Sequence, residues 1–241
     1  MTPFSRRVEP ERLDSLPATD PAAIRSRGDL RRMNLIMGQP GAVTRLLESR
    51  RATDGMRRLV DLGGGDGTLL LSVARKLAPR SGPVQGVVVD RQALVSDGTR
   101  REFARLGWQL ESATSDVLEW LDRPLPAEGT VILSNLFIHH FEDERLRVLL
   151  QRASARSELF VACEPRRSSF TLGASRLVGW VGSNEVTRYD AQVSVRAGFT
   201  GREISALWPA GEGWDLAEGS IGLFSHYFVA CRGTRETRAR R

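Results

Sequence analysis

Apolar runs that end in an acid or a small polar residue recur along this chain. Leu59-Val60 runs into Asp61, Val87-Val88-Val89 into Asp90, and Val131-Ile132-Leu133 into Ser134-Asn135. Uninterrupted runs of this length suit strands buried on both faces of a parallel sheet, where both side-chain directions meet covering helices. The pattern predicts strands near 58–62, 84–89, 109–114, 130–134, 158–163, 213–218 and 224–231, separated by helices near 66–77, 92–106, 142–154 and 200–207. Thr200-Gly201-Arg202-Glu203 has the capping-box form for the last of these helices. Upstream, 20–51 reads as two helices broken at Gly38-Gln39-Pro40-Gly41, behind a Pro- and Arg-containing arm over 1–18. Alternating strands and helices predict an α/β chain built on a doubly wound sheet.

The first strand leads into Asp61-Leu62-Gly63-Gly64-Gly65-Asp66-Gly67. Glycine lets the chain turn at φ > 0 and bring its N–H groups against a ligand ahead of the next helix. The dinucleotide fingerprint G-x-G-x-x-G fails, because Thr68 stands where its third glycine belongs, and no Gly-Lys-Ser/Thr follows to make a P-loop. A glycine-rich turn that holds nothing is the alternative. The form that fits, acid-x-G-x-G-x-G over Asp61, Gly63, Gly65 and Gly67, resembles motif I of class I S-adenosylmethionine-dependent methyltransferases.

That resemblance implies a Rossmann-like seven-stranded sheet, mostly parallel with the last strand antiparallel, and S-adenosyl-L-methionine as cofactor. Its methionine carboxylate suits the N–H groups of Gly63, Gly64 and Gly65, and its ammonium suits Asp61. Asp90 at the second strand end is placed to accept both ribose hydroxyls, a role an acid also plays in dinucleotide binding. Asp116 either faces the adenine amino group or caps a helix. Asn135 to His140 should line the crevice outside the fourth strand. Ser134-Asn135-Leu136-Phe137-Ile138-His139-His140-Phe141 is similar to the matching stretch of ubiquinone and menaquinone biosynthesis methyltransferases and of small-molecule O- and C-methyltransferases. An Asn-Pro-Pro-Tyr motif is absent, which argues against base N-methylation.

The acceptor side is less local. An insertion over 166–197 mixes Phe170, Leu172, Leu177, Val178, Trp180, Val181 and Tyr189 with glycines; it is either plain packing or, as the resemblance implies, a helical substrate lid before the sixth strand. Arg166, Asn184, Arg188 and Asp190 are its polar substrate-binding candidates, and helical spacing puts Thr187, Asp190, Ser194 and Ala197 on one face. The last third, including 190–199, 203–209 and 224–228, is similar to bacterial methyltransferases that tailor polyketide or phenolic products. The expected acceptor is therefore a small aromatic, quinone-like or polyketide molecule, methylated on O or C. A phenol ionises near pH 10, so a base helps at neutral pH, and His139 or His140 is the candidate. Adjacent side chains diverge on a regular backbone, so at most one of the two should face the acceptor, and no metal site is expected. His226 is expected to be structural.

Charge adds one alternative. The 241 residues carry a formal charge of +6, with Lys76 the one lysine among 35 basic residues. The arginines lie in scattered pairs among acids, apart from the tail after Arg232. A nucleic-acid partner is not expected on this pattern, although an RNA-directed methyltransferase or a non-catalytic protein on the same fold stays open. No apolar run reaches the roughly 20 residues of a membrane span, and 1–7 lacks a signal-peptide stretch, which predicts a cytoplasmic protein. Cys163 and Cys231 have no metal-type spacing and read as free thiols. The expected organisation is an arm and helical cap over 1–51, a cofactor-binding domain over 52–232 and a basic tail over 233–241, acting as monomer or homodimer.

Overall fold

Seven apolar or alternating segments pair into one sheet: β1 (Arg58–Leu62), β2 (Gln85–Asp90), β3 (Gln109–Thr114), β4 (Thr130–Asn135), β5 (Leu159–Pro165), β6 (Trp214–Ile221) and β7 (Ser225–Arg232). The computed structural model describes residues 4–52, 54–176, 182–211 and 213–233. Strand order is β3-β2-β1-β4-β5-β7-β6. The first five strands are parallel, and β7 runs antiparallel between β5 and β6. Every residue of β4 and β5 is buried, while the edge strand β3 alternates between half-buried and exposed. Uniform apolarity thus marks strands covered on both faces, and alternation marks an edge.

Ten helices are described: α1 (Arg12–Ser15), α2 (Pro21–Ile36), α3 (Gln39–Ser49), α4 (Thr68–Ser81), α5 (Asp97–Arg105), α6 (Val117–Asp122), α7 (Asp143–Arg156), α8 (Ser169–Arg176), α9 (Glu185–Ala197) and α10 (Glu203–Leu207). Successive strand residues serve opposite cores. Val60, Ile132 and Phe160 pack with Trp120, Leu146 and Leu149 of α6 and α7. Leu59, Leu133 and Val161 pack with Leu47, Leu70 and Phe103 of α3, α4 and α5. Among the described residues no helix is long and apolar enough to cross a membrane.

Local signals account for most boundaries. Asp20 Oδ1 accepts from the N–H groups of Ala22 and Ala23, with Pro21 as the first helical residue, so α2 starts there. The expected break after it falls at Gly38, in the left-handed region at φ 68°. The helix expected over 200–207 is shorter. Thr200 makes only half of the capping box, its N–H donating to Glu203, and Glu218 of β6 accepts from Ile204 and Ser205 N–H to start α10. The fifth strand runs two residues past the expected end at 163, taking in Glu164 and Pro165. The insertion forms α8 and α9; its Leu177, Val178, Trp180 and Val181, and the tail from 234 on, lie outside the described residues.

Candidate functional site

The direction of strand order reverses between β1 and β4, and a ligand crevice is expected outside their carboxyl ends. A cavity of about 550 Å³ lies there, under α2 and the amino-terminal arm. Gly63, Gly64, Gly65, Asp61 and Asn135 line one part of it, and His139, His140, Glu11 and Asp190 another.

The glycine turn is tight for two different reasons. Gly63 has φ 70°, and a Cβ there would lie 2.2 Å from the Phe137 ring, so this glycine is required by packing. Gly65 has φ 56° and open space where a Cβ would point. Its N–H donates to Asp90 Oδ2 at 3.0 Å, tying the loop to the end of β2. The other Asp90 oxygen accepts from Gln92 N–H at 2.9 Å. Asp90 is half-buried, and burial raises its carboxyl against these two bonds.

Asp61 is almost wholly buried, and its Oδ2 has no hydrogen-bond partner. Burial, with Asp90 and Asp66 adding repulsion, pushes its carboxyl up to about 8. Asn34 Oδ1 and Asn135 Oδ1 are also buried without partners, and both residues line the same cavity. Three residues of one cavity lining thus carry a buried oxygen without a partner, which suits a ligand that brings donors or positive charge. Asp116 caps α6, accepting from Leu118 N–H at 2.8 Å, and does not line the cavity.

The histidine side is paired throughout. Glu164, buried at the end of β5, accepts from Phe137 and Ile138 N–H at 3.1 Å each through Oε1, and its Oε2 lies 2.7 Å from His139 Nδ1. His139 Nε2 and His140 Nε2 each lie 3.3 Å from Glu11 Oε1. His140 Nδ1 is 3.3 Å from Asp14 Oδ2. Burial opposes charge on His140, but the bonds to Asp14 and Glu11 prevail and hold it up at about 10. Glu11 is held far below the usual carboxylate range by the two histidines, against its burial.

This arrangement corrects the expectation that the two histidines diverge. Residues Ile138–His140 form a single 3-10 turn entered from Phe137 at φ −138°, ψ −45°, and the two rings meet edge to face with centroids 4.3 Å apart. Outside regular helix or strand, neighbouring side chains need not point apart.

The arm that brings Glu11 is fastened along its length. Arg6 donates to the carbonyls of Ala197, His139 and Phe141 and pairs with Asp143. Asp190 accepts from Arg12 N–H at 2.8 Å and Leu13 N–H at 3.0 Å. Burial raises the Asp190 carboxyl to about 6 in spite of those bonds. Ser194, one turn on, donates to Glu11.

Of the four acceptor-side candidates, Asp190 alone lines the cavity. Asn184 is spent at the start of α9, where its Oδ1 accepts from Thr187 N–H and its amide donates to the Ala22 carbonyl. Arg188 is exposed, two residues before Asp190 and on the opposite side of the helix. Arg166 continues from β5 into an isolated bridge with Phe199, its N–H donating to the Phe224 carbonyl. Of the face predicted for α9, Thr187, Asp190 and Ser194 line the cavity and Ala197 does not. His226 is buried against Glu218 at 2.8 Å, away from the cavity lining.

No protein-family model matches the sequence, and no curated protein matches it. Solved structures share its fold at low identity. The plantazolicin methyltransferase BpumL, solved in complex with SAH, superposes with a TM-score of 0.62 at 12% identity over 90% of this chain and 92% of that one. The mitomycin 7-O-methyltransferase MmcR gives 0.59 at 15% over 92% of this chain and 60% of that one. An O-methyltransferase family protein from Burkholderia thailandensis gives 0.57 at 14% over 92% and 64%. The chain thus spans less than two thirds of the length of the last two. The chain shares the fold of these solved methyltransferases, with β7 antiparallel between β5 and β6 in its own sheet.

Proposed function

We propose that this protein is an S-adenosylmethionine-dependent methyltransferase that methylates a hydroxyl oxygen of a small aromatic, quinone-like or polyketide acceptor. One observation carries the reading: His139, backed by the buried Glu164, lines one cavity with the Asp61 carboxyl, whose Oδ2 is unpaired, and with the open glycine turn. The residues present suit the cofactor. Asp61, Asn34 and Asn135 offer unpaired acceptors for its ammonium, Gly64 and Gly65 offer a close backbone, and Asp90, outside the cavity lining and with each oxygen bonded to one backbone N–H, keeps lone pairs at the strand end for its ribose. When bound, it supplies an electrophilic methyl group on a positively charged sulfur.

The chain's own part is positioning and proton removal. His139 Nδ1–H donates to Glu164, so once Glu11 is displaced and Nε2 has lost its proton the lone pair sits on Nε2. That atom takes the acceptor's hydroxyl proton, and the buried Glu164 carboxylate stabilises the imidazolium that forms. The acceptor reaches Nε2 by displacing Glu11, which now lies against it. Leu30, Met33, Met37, Leu136 and Phe224 give the cavity an apolar wall suited to an aromatic ring.

The test is calorimetric titration with S-adenosylmethionine followed by turnover on a panel of phenols. Asp90→Ala should weaken cofactor binding by about 2–4 kcal/mol, since two hydroxyls lose a charged acceptor. Turnover on a small phenol, unchanged when 233–241 are deleted, supports the reading; methyl transfer to RNA alone, lost with that deletion, overturns it.

A further inference from the structure

We propose that Glu11, His139 and His140 form a binding site for one divalent transition-metal ion of the zinc class, which fastens the amino-terminal arm across the cavity. One oxygen of Glu11 lies 3.3 Å from Nε2 of each histidine. Zinc bonds of 2.0–2.1 Å place tetrahedral donors about 3.3–3.4 Å apart, so two edges of the tetrahedron are already formed. The donor atoms of all three residues lie within 4.8 Å of one another.

A plain ion pair would account for one histidine on Glu11. It does not account for what stands behind both rings. His139 Nδ1 is bonded to Glu164 and His140 Nδ1 faces Asp14, so each imidazole is turned by its own carboxylate to present Nε2 inward. Carboxylates in that position orient the ring and raise its basicity as a metal ligand. Two imidazoles with one carboxylate select zinc-like ions over magnesium or calcium, which prefer an all-oxygen shell. Three protein ligands leave a fourth position for water.

Metal binding also has a functional sign. It takes the His139 Nε2 lone pair that the proposed proton transfer uses, and it holds Glu11 in place, so the ion inhibits. The metal site itself is independent of the cofactor reading.

Tag-free protein stripped with chelator is titrated with Co²⁺, read by its visible spectrum, and with Zn²⁺ in competition with a chromogenic chelator. The expected result is one ion per chain and a tetrahedral cobalt spectrum. Glu11→Gln and His140→Gln should each weaken zinc at least tenfold, and Glu164→Gln by about 10–100-fold. Cys231→Ser should leave binding unchanged. Glu11 is on the arm, outside both cores, so its substitution does not threaten the fold, which the melting temperature verifies. Absence of stoichiometric binding, or binding undiminished in both Glu11→Gln and His140→Gln, overturns the site. S-adenosylmethionine titration of the same samples separates the two proposals: zinc without cofactor binding defeats the methyltransferase reading, and cofactor without zinc binding defeats this one.

Discussion

The two sides of the cavity differ in how their polar atoms are satisfied. At the ends of β1 and β4, Asp61 Oδ2 and Asn135 Oδ1 are buried with no partner. At the 3-10 turn and the end of β5, His139, His140, Glu164 and Glu11 are bonded to one another. An unpaired buried carboxyl costs free energy until something supplies a partner, so the first side is built to receive an outside group. The second side is closed on itself by a segment more than a hundred residues away in sequence. Reception is local to one turn; closure is tertiary.

The sharpest way to break this contrast is His139→Gln. Gln keeps a hydrogen bond to Glu164 but has no basic nitrogen, so kcat should fall about 10²–10⁴-fold while cofactor affinity stays near wild type. His140→Gln, whose ring is held between Glu11 and Asp14, should cost less than about tenfold. A larger loss in His140→Gln on a verified acceptor would reverse the assignment.

Asp61→Asn tests the receiving side, with two effects of opposite sign. Cofactor affinity should drop by about 2–4 kcal/mol, because the ammonium loses its charged partner. The ligand-free fold should gain. The Asp61 carboxyl is raised from 3.8 to about 8, so its contribution to stability is complete below pH 3.8 and is lost as pH rises toward 8. The slope is about 1.4 kcal/mol per pH unit in that window. Melting curves of the free protein between about pH 5 and pH 8 should fall in the wild type and flatten in Asp61→Asn. Parallel curves would mean Asp61 is charged and paired after all.

The same contrast explains what could be read from the sequence. Asp61, the glycine turn, Asp90 and Asn135 follow from apolar runs and what ends them, a relation confined to a few neighbouring residues. Glu11 carries no such signal, because it acts from a four-residue helix start in an arm with no apolar period. Glu164 was legible in principle as one more acid at a strand end. Pro165 directly after it reads as a strand breaker, but Pro165 pairs with Ser225 of the antiparallel β7 and the strand carries on. Arg166, Asn184 and Arg188 looked like site residues by polarity alone. Their fates were set by the bridge beyond β5 for Arg166, by helix capping for Asn184 and by helix register for Arg188, which composition does not report.

Within the glycine turn the contrast narrows to two residues. Gly63→Ala forces a Cβ into the Phe137 ring and should destabilise the free protein by about 1–3 kcal/mol. The Cβ of Gly65→Val meets nothing in the free protein, so apart from the strain of φ 56° the change should abolish cofactor binding with a smaller loss of melting temperature. If Gly65→Val binds the cofactor normally, the turn is only a turn.

The smallest expected effect sharpens the closed side. Asp190 Oδ1 and Oδ2 each accept one arm N–H, from Arg12 and Leu13, so Asp190→Asn replaces one acceptor with an amide that faces a donor. One bond is lost and a mild repulsion takes its place. Because the arm keeps the Arg6 bonds to His139, Phe141 and Ala197, the loss is partial. Opening of the arm should become easier by about 1 kcal/mol, or roughly fivefold. Amide hydrogen exchange at Arg12 and Leu13, and tryptic cleavage after Arg12, should both speed up by that factor. Cofactor affinity should not move, since Asp61 and the glycine turn are untouched. Unchanged exchange at Arg12 and Leu13 would show that the arm's other bonds hold it without Asp190, and that Asp190 faces the cavity for the acceptor instead.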